Sequence, residues 1–395
     1  MMPGDEAGIV AAIRDATAPL LIQGAGSKLP MLRPVQAAAT LSTSGLTGIT
    51  LYSPKELVLS ARAGTPVADL VAATAAAGQH LIAEPPDYRR VLATTGAGTI
   101  GGAVATNLSG PRRVAWGAMR DHVLGVRAVN GQGELIRAGG RVLKNVTGLD
   151  LCKLLSGSHG TLAVMTEITI KVLPMPERRA TLVLKGLDAT RAVAAMSAAL
   201  GSPYAVSAAA HLPAAMAARV PALAWFGASV TLARLEDFAP SVVYRADRLR
   251  AELAEFGAAE LLDDGASLAG WADIGDVLPL VGEGEAVWRI SVRPSQGPGV
   301  LHALENAFGA TGFLDWGGGL VWIAGPATEA AHAAIETAAR AAGGVWTLMR
   351  APDPLRSTVA VVPPEAAALA RIGRQVKAAF DPRGLLNPGR LVAGS

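Results

Sequence analysis

Three short loops of small residues, each next to a predicted strand, constrain the fold of this chain more than any other feature. They span residues 24–27, 96–101 and 157–161. Loops of this kind can direct backbone N–H groups at a pyrophosphate, and glycine lets the ligand approach the chain closely. Any one of them alone is better explained as an ordinary tight turn. The order of the three loops and the sequence around them therefore decide whether they form a binding site.

The second loop satisfies the G-x-G-x-x-G pattern of dinucleotide folds, but its context argues against a Rossmann site. That fingerprint needs a strand directly before it, a long helix after it, and an acidic residue at the end of a second strand about 20 residues further on. Here Thr94 and Thr95 precede the loop, and the helix candidate over residues 102–108 is short. Asp121 lies at the required distance but comes before a strand. The pattern alone is weak support for a Rossmann fold.

Glycine-rich, weakly charged segments occupy the first 180 residues, where short strands and short helices mix. Two prolines after a strand, Pro174 and Pro176, predict a domain boundary. Asn130-Gly131 between two apolar runs is the strongest short hairpin signal. The predicted elements are a helix to about residue 16, a brief helix from Ser53, a helix over 65–77, and strands over 19–22, 58–64, 123–130, 134–138 and 162–172.

Alanine-rich helical segments dominate the remainder, in which one unit repeats weakly. Each copy is predicted as strand, helix, strand, strand, helix, which is the ferredoxin-like order. The first copy covers residues 181–256, with strands near 204–209 and 222–232, and the second begins at residue 286. A last helix is predicted over 364–380. We therefore predict an α+β fold in three parts, residues 1–177, 178–363 and 364–395.

The composition excludes several classes of protein. The net charge is +3 and the basic residues are scattered among only 4% aromatics, which argues against nucleic-acid binding. The single cysteine, Cys152, excludes a disulfide framework and any cysteine-based metal cluster within this chain. Apolar stretches are interrupted before the ~20 residues of a membrane span, and the first 15 residues do not resemble a signal peptide. We expect a cytoplasmic protein that reaches a membrane only through partner subunits.

The loops and their flanking segments resemble one family closely. Residues 19–177 are similar to the FAD-binding domain of vanillyl-alcohol-oxidase-like and p-cresol-methylhydroxylase-like (PCMH-type) flavoproteins, and within that group to the FAD-binding subunits of bacterial glycolate oxidase. The matching segments are residues 23–28, 78–81, 84–86, 101–105, 109–113, 120–125, 144–150 and 157–174, with 387–390 near the C-terminus. Between them, Asp315-Trp316-Gly317-Gly318 is a further anchor.

The resemblance implies a fold, a cofactor and a set of binding residues. It implies a two-part PCMH-type FAD-binding domain, then a ferredoxin-like-repeat α+β cap domain, and a C-terminal helix and loop that return to the first domain. It places the first pyrophosphate loop at Gly24, Ala25, Gly26, Ser27 and Lys28, and the second at Thr95, Gly96, Ala97, Gly98, Thr99, Gly101 and Gly102. It places Asn107, Ser109, Gly110 and Asn387 near the flavin ring, and Gly160, Ala163 and Val164 on the ribityl or adenine side.

Two features bear on how the cofactor is held. The family commonly has tyrosine where Leu149 stands here, so this chain lacks the hydroxyl that could donate a hydrogen bond at that position. Cys152 lies in a predicted short helix over 150–155, and the first loop carries no histidine. We therefore expect non-covalent FAD.

The catalytic residues stay unassigned at this stage. Related flavoproteins use a metal held by a histidine-rich motif that is missing here, so no metal site is expected. His159 is interpreted as a turn residue with its ring outward. Arg112, Arg113 and Arg120 face either the flavin, a substrate carboxylate or surface partners such as Asp121. Lys144 and Asn145 either bind flavin or cap a strand.

Three functions are compatible with these observations. The first is a FAD-binding subunit of a glycolate (2-hydroxy acid) dehydrogenase complex, an oxidoreductase of glycolate catabolism. It would have a second related flavoprotein and an iron–sulfur subunit as partners. The second is a self-sufficient FAD-dependent 2-hydroxy-acid dehydrogenase. The third is a structural subunit whose FAD is not catalytic or is absent.

Overall fold

A computed structural model describes residues 1–140 and 149–394. Lys144 and Asn145, interpreted above as flavin-binding or strand-capping residues, lie outside the described residues. The elements up to residue 174 are α1 Glu6–Asp15, β1 Leu20–Gln23, β2 Ala39–Ser42, β3 Ile49–Ser53, β4 Val58–Arg62, α2 Val67–Ala76, β5 Gln79–His80, α3 Arg89–Leu92, α4 Ile100–Thr106, α5 Arg113–Trp116, β6 Val123–Asn130, β7 Leu135–Gly139, α6 Leu151–Leu155, β8 Ala163–Lys171 and β9 Leu173–Pro174.

A five-stranded antiparallel sheet, in the order β3-β4-β8-β6-β7, forms the centre of this part. Its central strand β8 is rich in β-branched residues, which favour a pleated, buried surface. Ile168 and Ile170 of β8 pack with Leu59 and Ala61 of β4 and are fully or almost fully buried. The predicted hairpin is confirmed, because β6 pairs with β7 from Gly125 to Val129.

The first loop is attached to a smaller sheet. Strands β1 and β2 run parallel, from Leu20 beside Ala39 to Gln23 beside Ser42. The C-terminal loop adds to the free side of β1, since the Leu20 amide donates to the Leu385 carbonyl at 2.8 Å. Strand β1, which leads into the first loop, is therefore held between β2 and the C-terminal loop.

The second part contains most of the longer helices. Several of them begin at an N-cap side chain, as Asp188 does by accepting from the Arg191 amide at 2.9 Å. The elements are β10 Arg178–Lys185, α7 Ala189–Gly201, β11 Ala208–Leu212, α8 Ala214–Ala217, β12 Val230–Asp237, α9 Ala239–Glu252, β13 Ala259–Leu262, α10 Asp264–Gly275, β14 Ala286–Ser291, α11 Gly297–Phe308, β15 Thr311–Asp315, β16 Leu320–Gly325, α12 Glu329–Ala341, β17 Val345–Arg350, α13 Asp353–Thr358 and α14 Ala367–Phe380.

These strands form one eight-stranded sheet with an internal symmetry. Its order is β13-β10-β12-β11-β15-β16-β14-β17. Numbered within each unit, the first four strands lie in the order 4-1-3-2, and the second four repeat that order in reverse. The two units meet where β11 pairs with β15, through His211 and Leu314. The predicted α+β architecture with a ferredoxin-like repeat is confirmed.

Two details of the repeat differ from the prediction. The first unit was expected to end near residue 256, but it continues into β13 and α10, which supply a fourth strand and a further helix. The strand predicted over 222–232 begins only at Val230. Residues Ala224–Phe226 instead form a turn of 3-10 helix, and Gly227 follows with a φ of 62°, which breaks the extended chain.

The C-terminal helix α14 returns to the first part of the chain. The Lys377 ammonium donates to the Thr161 and Leu386 carbonyls at 2.7 and 2.9 Å, and to the Asp381 carboxylate at 2.7 Å. Asp381 in turn accepts from the amides of Leu385 and Leu386. These contacts tie the last loop to the third glycine loop. None of the described helices is long and apolar enough to cross a membrane.

Candidate functional site

A cleft opens where β1, the segment leading into α4, the start of β8 and the C-terminal loop converge. Its empty volume, including the open solvent at its mouth, is about 750 Å³. The structure brings these predicted residues together along its walls: Gly24, Ala25, Gly26, Ser27, Lys28, Thr99, Gly101, Gly102, Gly160, Ala163, Val164 and Asn387.

The first two glycine loops pack directly against each other. A Cβ at Gly96 would lie 1.8 Å from the Ala25 carbonyl oxygen, and a Cβ at Gly24 would lie 2.5 Å from Thr99 Oγ1. Larger residues at either position would push the loops apart. The close approach that the sequence suggested for a ligand is therefore used, at these two glycines, for contact between the loops.

The first loop presents unpaired backbone donors. The N–H groups of Ala25, Gly26, Ser27 and Lys28 donate no hydrogen bond to any described residue. Gly26 has a φ of 77°, a conformation that glycine adopts without strain. Successive N–H groups in such a turn form a concave site that suits an anion. This arrangement fits a diphosphate group.

Lys28 adds a positive charge to the same wall of the cleft. Burial lowers the pKa of its ammonium to about 8, an effect partly opposed by Asp87. Its one hydrogen bond within the described chain goes to Ser27 Oγ at 3.4 Å. A half-buried ammonium without a close carboxylate is unfavourable unless an anion joins it. Lys28 therefore also fits a phosphate ligand.

Four predicted residues of the second loop, Thr95 to Gly98, lie outside the cleft. Gly98 accepts from the Val67 amide at 2.8 Å, and Gly96 contacts Ala25 as described. Thr95 and Ala97 are exposed. Thr99 caps α4 by accepting from the Gly102 amide at 3.2 Å. The loop thus reaches the cleft only through its last residues.

Three of the four residues predicted near the flavin ring, Asn107, Ser109 and Gly110, lie in the segment between α4 and α5. Asn107 ends α4 with a φ of 48° and accepts from the Arg120 amide at 2.9 Å. Ser109 accepts from the Met119 amide at 2.8 Å. The Gly110 carbonyl accepts from Trp316 Nε1 at 3.2 Å. None of the three lines the cleft.

Asn387 lines the cleft, but its amide is already engaged. Its Oδ1 accepts from the Ile22 amide at 2.7 Å, and its Nδ2 donates to the carbonyls of Ile22 and His159 at 3.1 and 2.8 Å. A Cβ at Gly160 would lie 2.9 Å from that Nδ2. Asn387 therefore joins β1 to the third loop, and it presents no free amide hydrogen.

His159 does not point outward as the sequence suggested. It adopts a φ of 53°, lines the cleft, and donates its amide hydrogen to the Ala105 carbonyl at 2.8 Å. Burial, followed by repulsion from Arg390, lowers the pKa of its imidazole to about 3. His159 is therefore a neutral wall of the cleft, and the outward interpretation is wrong.

Two further wall residues fall within the matching segments but were not chosen as site residues. Arg390 is 7% exposed and donates to the carbonyls of Lys28, Leu29 and Arg33. Gln23 has a buried Oε1 without a partner among the described residues. Their side chains matter through contacts with sequence-distant loops, which no local pattern reveals.

The three candidate arginines have different surroundings. Arg120 is exposed, 3.9 Å from Asp121, which agrees with a surface ion pair. Arg112 is buried between Glu84 and Glu236, so it binds the two parts of the protein together. Arg113 stacks on the Trp316 indole, with Cζ 4.4 Å from the ring centre.

Other sequence positions also have clear surroundings. Leu149 is 86% exposed. Cys152 lies in α6 as predicted and is buried, which raises the pKa of its thiol to about 11. Across residues 1–140 and 149–394, no three His, Cys, Asp or Glu side chains are grouped as metal ligands.

Known proteins resemble this chain in sequence. The FAD binding domain family matches residues 1–139. Glycolate oxidase subunit GlcE of Escherichia coli is 37% identical over 386 residues, which cover 97% of this chain and 95% of that subunit. Glycolate oxidase subunit GlcD of Bacillus subtilis is 32% identical over 165 residues, covering 42% of this chain and 34% of that protein.

Solved structures resemble it in fold. p-Cresol methylhydroxylase with substrate bound superposes with a TM-score of 0.74 at 13% identity, covering 99% of this chain and 88% of that one. The 4-ethylphenol oxidase of Gulosibacter chungangensis gives a TM-score of 0.72 at 14% identity, covering 100% and 88%. At these identities the likeness concerns the fold alone.

Proposed function

The chain belongs to the family of FAD-binding glycolate oxidase subunits, and from that premise we propose that it binds FAD non-covalently in the cleft. Its cofactor is FAD, and it is an FAD-dependent oxidoreductase that acts on CH–OH donors. The proposed reaction is oxidation of glycolate to glyoxylate within a complex. The observation that carries the cofactor proposal is the row of unpaired N–H groups at residues 25–28 beside Lys28.

In this proposal the residues of the first loop hold the diphosphate. The N–H groups of Ala25, Gly26 and Ser27 donate to its oxygens, and the Lys28 ammonium neutralises part of its charge. Asn387 keeps β1 and the third loop at a fixed separation, so that the groove between them stays open. When bound, the flavin supplies a hydride acceptor for the oxidation of an alcohol.

We also propose the three-part division given above, with residues 178–363 covering the flavin domain. Asn107, Ser109 and Gly110 then mark where the flavin domain meets this cap, because Gly110 is bonded to Trp316. In the second loop, only Thr99, Gly101 and Gly102 line the cleft and would contact the cofactor. The earlier residues of that loop support its position against the first loop.

Electrons leave through another protein in this proposal. Iron–sulfur clusters need several cysteine ligands, and the chain has one, which is buried in α6. An iron–sulfur subunit is therefore the proposed acceptor. A second, related flavoprotein is the proposed partner that completes the complex.

Purification decides between the candidate functions. The full chain is isolated alone, its flavin absorbance is recorded, and glycolate is added without oxygen. Flavin that stays oxidised alone but bleaches in the co-purified complex supports the proposal. Bleaching by the isolated chain supports a self-sufficient dehydrogenase, and a chain without flavin refutes the cofactor proposal. Flavin that stays with acid-precipitated protein refutes non-covalent binding.

A further inference from the structure

Two cations share one indole at the junction between the flavin domain and the eight-stranded sheet. The guanidinium of Arg113 lies 4.4 Å from the Trp316 ring centre, and that of Arg289 lies 4.8 Å from it. Arg113 comes from α5 in the first part, and Arg289 from β14 in the second. Trp316 Nε1 donates to Gly110, which fixes the indole beside the segment predicted to lie near the flavin ring.

The sheet presents Arg289 towards the flavin domain. Arg289 pairs directly with Trp322 of β16, so the two side chains lie on the same face. Trp322 meets Tyr88 of the first part edge to face, with ring centres 5.7 Å apart. The neighbouring Trp288 points to the other face, where its Nε1 donates to His332 of α12. Arg289 therefore faces the domain junction and not the helical layer.

Neither guanidinium has an anionic partner within the described chain. No carboxylate of residues 1–140 or 149–394 lies within 4.0 Å of the guanidinium nitrogens of Arg113 or Arg289, and neither side chain donates a hydrogen bond there. The nearby carboxylate of Glu84 is already paired with Arg112 and Arg234. Asp315 accepts from the Trp316 amide at 2.6 Å.

Without an anionic partner, the charged forms of Arg113 and Arg289 are disfavoured. Burial, followed by repulsion from Arg289, lowers the pKa of Arg113, with Asp121 opposing the shift. Burial also lowers the pKa of Arg289, an effect that Tyr88 and Asp315 oppose. Both residues are half-buried, and cations removed from water are normally paired with an anion. Elsewhere at the same junction the arginines obey this rule, since Arg112, Arg179 and Arg234 all meet carboxylates. Arg113 and Arg289, which have no such carboxylate within 4.0 Å among the described residues, differ from them. This difference points to an anion supplied from outside the chain.

Tyr88 adds a neutral donor to the same place. Its residue is 4% exposed, and its hydroxyl makes no hydrogen bond with any described residue. The hydroxyl lies close enough to influence Arg289 electrostatically. Planar guanidinium groups bind carboxylates through paired N–H donors, and a phenol can add a third.

We propose that Arg289 and Arg113, with Tyr88, bind the carboxylate of the small 2-hydroxy acid at the junction of flavin domain and cap. Arg289 supplies the cap's share of the site and Arg113 the flavin domain's, so the carboxylate is held only when the two parts are docked. The aromatic rings of Trp316 and Trp322 exclude water around the pair. This inference rests on the proposed oxidation of a 2-hydroxy acid.

The test uses the FAD-loaded full chain and a non-oxidisable probe. Oxamate carries one carboxylate, and oxamide is its neutral counterpart. Binding of both is measured by titration calorimetry in the wild type, Arg289→Gln, Arg113→Gln and Arg289→Lys. Arg340→Gln is the matched control, because Arg340 also stacks on a tryptophan, 5.2 Å from the Trp346 ring centre, but on the opposite, helix-covered face of the sheet. Flavin content is read from absorbance on each sample.

We expect both glutamine variants to weaken oxamate binding at least tenfold, with partial recovery in Arg289→Lys. Arg340→Gln should match the wild type, and oxamide affinity should be the same in all of them. Unchanged oxamate affinity in Arg289→Gln with full flavin content would overturn the inference. So would a loss of flavin without a loss of oxamate affinity, since the arginines would then serve the cofactor. If Arg289→Gln does not fold, Arg113→Gln decides.

Failure of the two proposals is distinguishable. Arginine-dependent oxamate binding in a chain whose flavin never bleaches with glycolate, alone or in its complex, would refute glycolate oxidation and keep the carboxylate site. Glycolate oxidation with the same KM in the wild-type and Arg289→Gln complexes would refute the site and keep the oxidation.

Discussion

Lys28 is the side chain whose surroundings most clearly depend on a ligand. Burial holds its pKa near 8, and its weak bond to Ser27 does not compensate for lost hydration. A diphosphate placed on the neighbouring N–H groups would supply the missing negative charge. The sequence located this residue through the resemblance, whereas its burial follows from packing that no local pattern shows.

Replacing Lys28 with methionine keeps the length of the side chain and removes its charge. We expect Lys28→Met to bind FAD at least tenfold more weakly, because a charge-assisted hydrogen bond is worth about 1.5–3 kcal/mol. Wild-type affinity should also fall as the pH rises through about 8, and Lys28→Met should lack that dependence. Fluorescence titration of the apoprotein with FAD measures both effects.

Lys153→Met is the matched control, since Lys153 is half exposed and pairs with Asp150 on the surface. Equal FAD affinity in Lys28→Met and the wild type would contradict the proposed phosphate contact.

Asp315 predicts a pH dependence of stability. Burial, with the charge of Glu84 adding to it, raises the pKa of this carboxyl to about 7, although the Trp316 amide opposes the shift. The folded state therefore binds this proton more tightly than the unfolded state. Its contribution to stability is complete below about pH 4 and is lost as the pH rises to about 7.

Asp315→Asn imitates the protonated carboxyl and should remove that loss. We expect the variant to gain stability relative to the wild type between pH 4 and pH 7, by at most about 4 kcal/mol. Urea unfolding at several pH values measures the difference. A constant difference across this range would show that Asp315 is ionised throughout.

At the level of elements, the C-terminal segment completes the cleft. Helix α14 is held through Lys377, whose ammonium bonds to Thr161, Leu386 and the fully buried carboxylate of Asp381. The helix itself was predictable from its apolar spacing. Its position beside the third loop depends on contacts between residues more than 200 positions apart in the sequence. Only the family resemblance predicted that position.

Removing the Lys377 ammonium should loosen this segment. Lys377→Met leaves Asp381 buried without its cation, a change that costs about 3–5 kcal/mol. We expect a corresponding fall in unfolding free energy and faster amide hydrogen exchange over residues 384–390. Arg371→Met, an exposed position on the same helix, serves as control. Exchange rates that match the wild type would show that α14 is held by other contacts.

The missed elements show what sequence patterning can supply. The helices and strands of the repeat were found because alternating apolar and polar residues reveal one buried face. Strand β13 has four residues, of which only Leu262 is buried, so its pattern is too short to detect. It becomes a strand because it pairs with β10 at the sheet edge.

For the molecule as a whole, a buried ion cluster joins the two parts. Arg112 and Glu84 come from the first part, and Arg234 and Glu236 from the second. Burial opposes ionisation of both glutamates, but Arg234 and Arg112 outweigh it and lower their pKa values. Their stabilising effect is present above about pH 4.5 and is lost as the pH falls further.

Glu236→Gln should uncouple the two parts. It leaves the buried arginines with too few anions, so we expect a loss of about 3–5 kcal/mol and two separate unfolding transitions. Asp237→Asn is the control, because Asp237 is 44% exposed and its pair with Arg245 is worth about 1 kcal/mol or less. Calorimetric unfolding measures both, and a single unshifted transition in Glu236→Gln would show that the cluster does not hold the parts together.

The mirrored order of the eight-stranded sheet has a consequence for how the chain can be divided. Strands β11 and β15 occupy the middle of the sheet only because each unit shields the other's border strand. Split apart, each unit would expose a row of unpaired backbone groups, the usual template for self-association. Since β11 and β15 run antiparallel, two copies of one unit could pair by the same geometry. The two repeat units of the cap are thus arranged like the subunits of a dimer joined in one polypeptide. Because β11 and β15 pair with each other, neither edge is free to pair with another molecule.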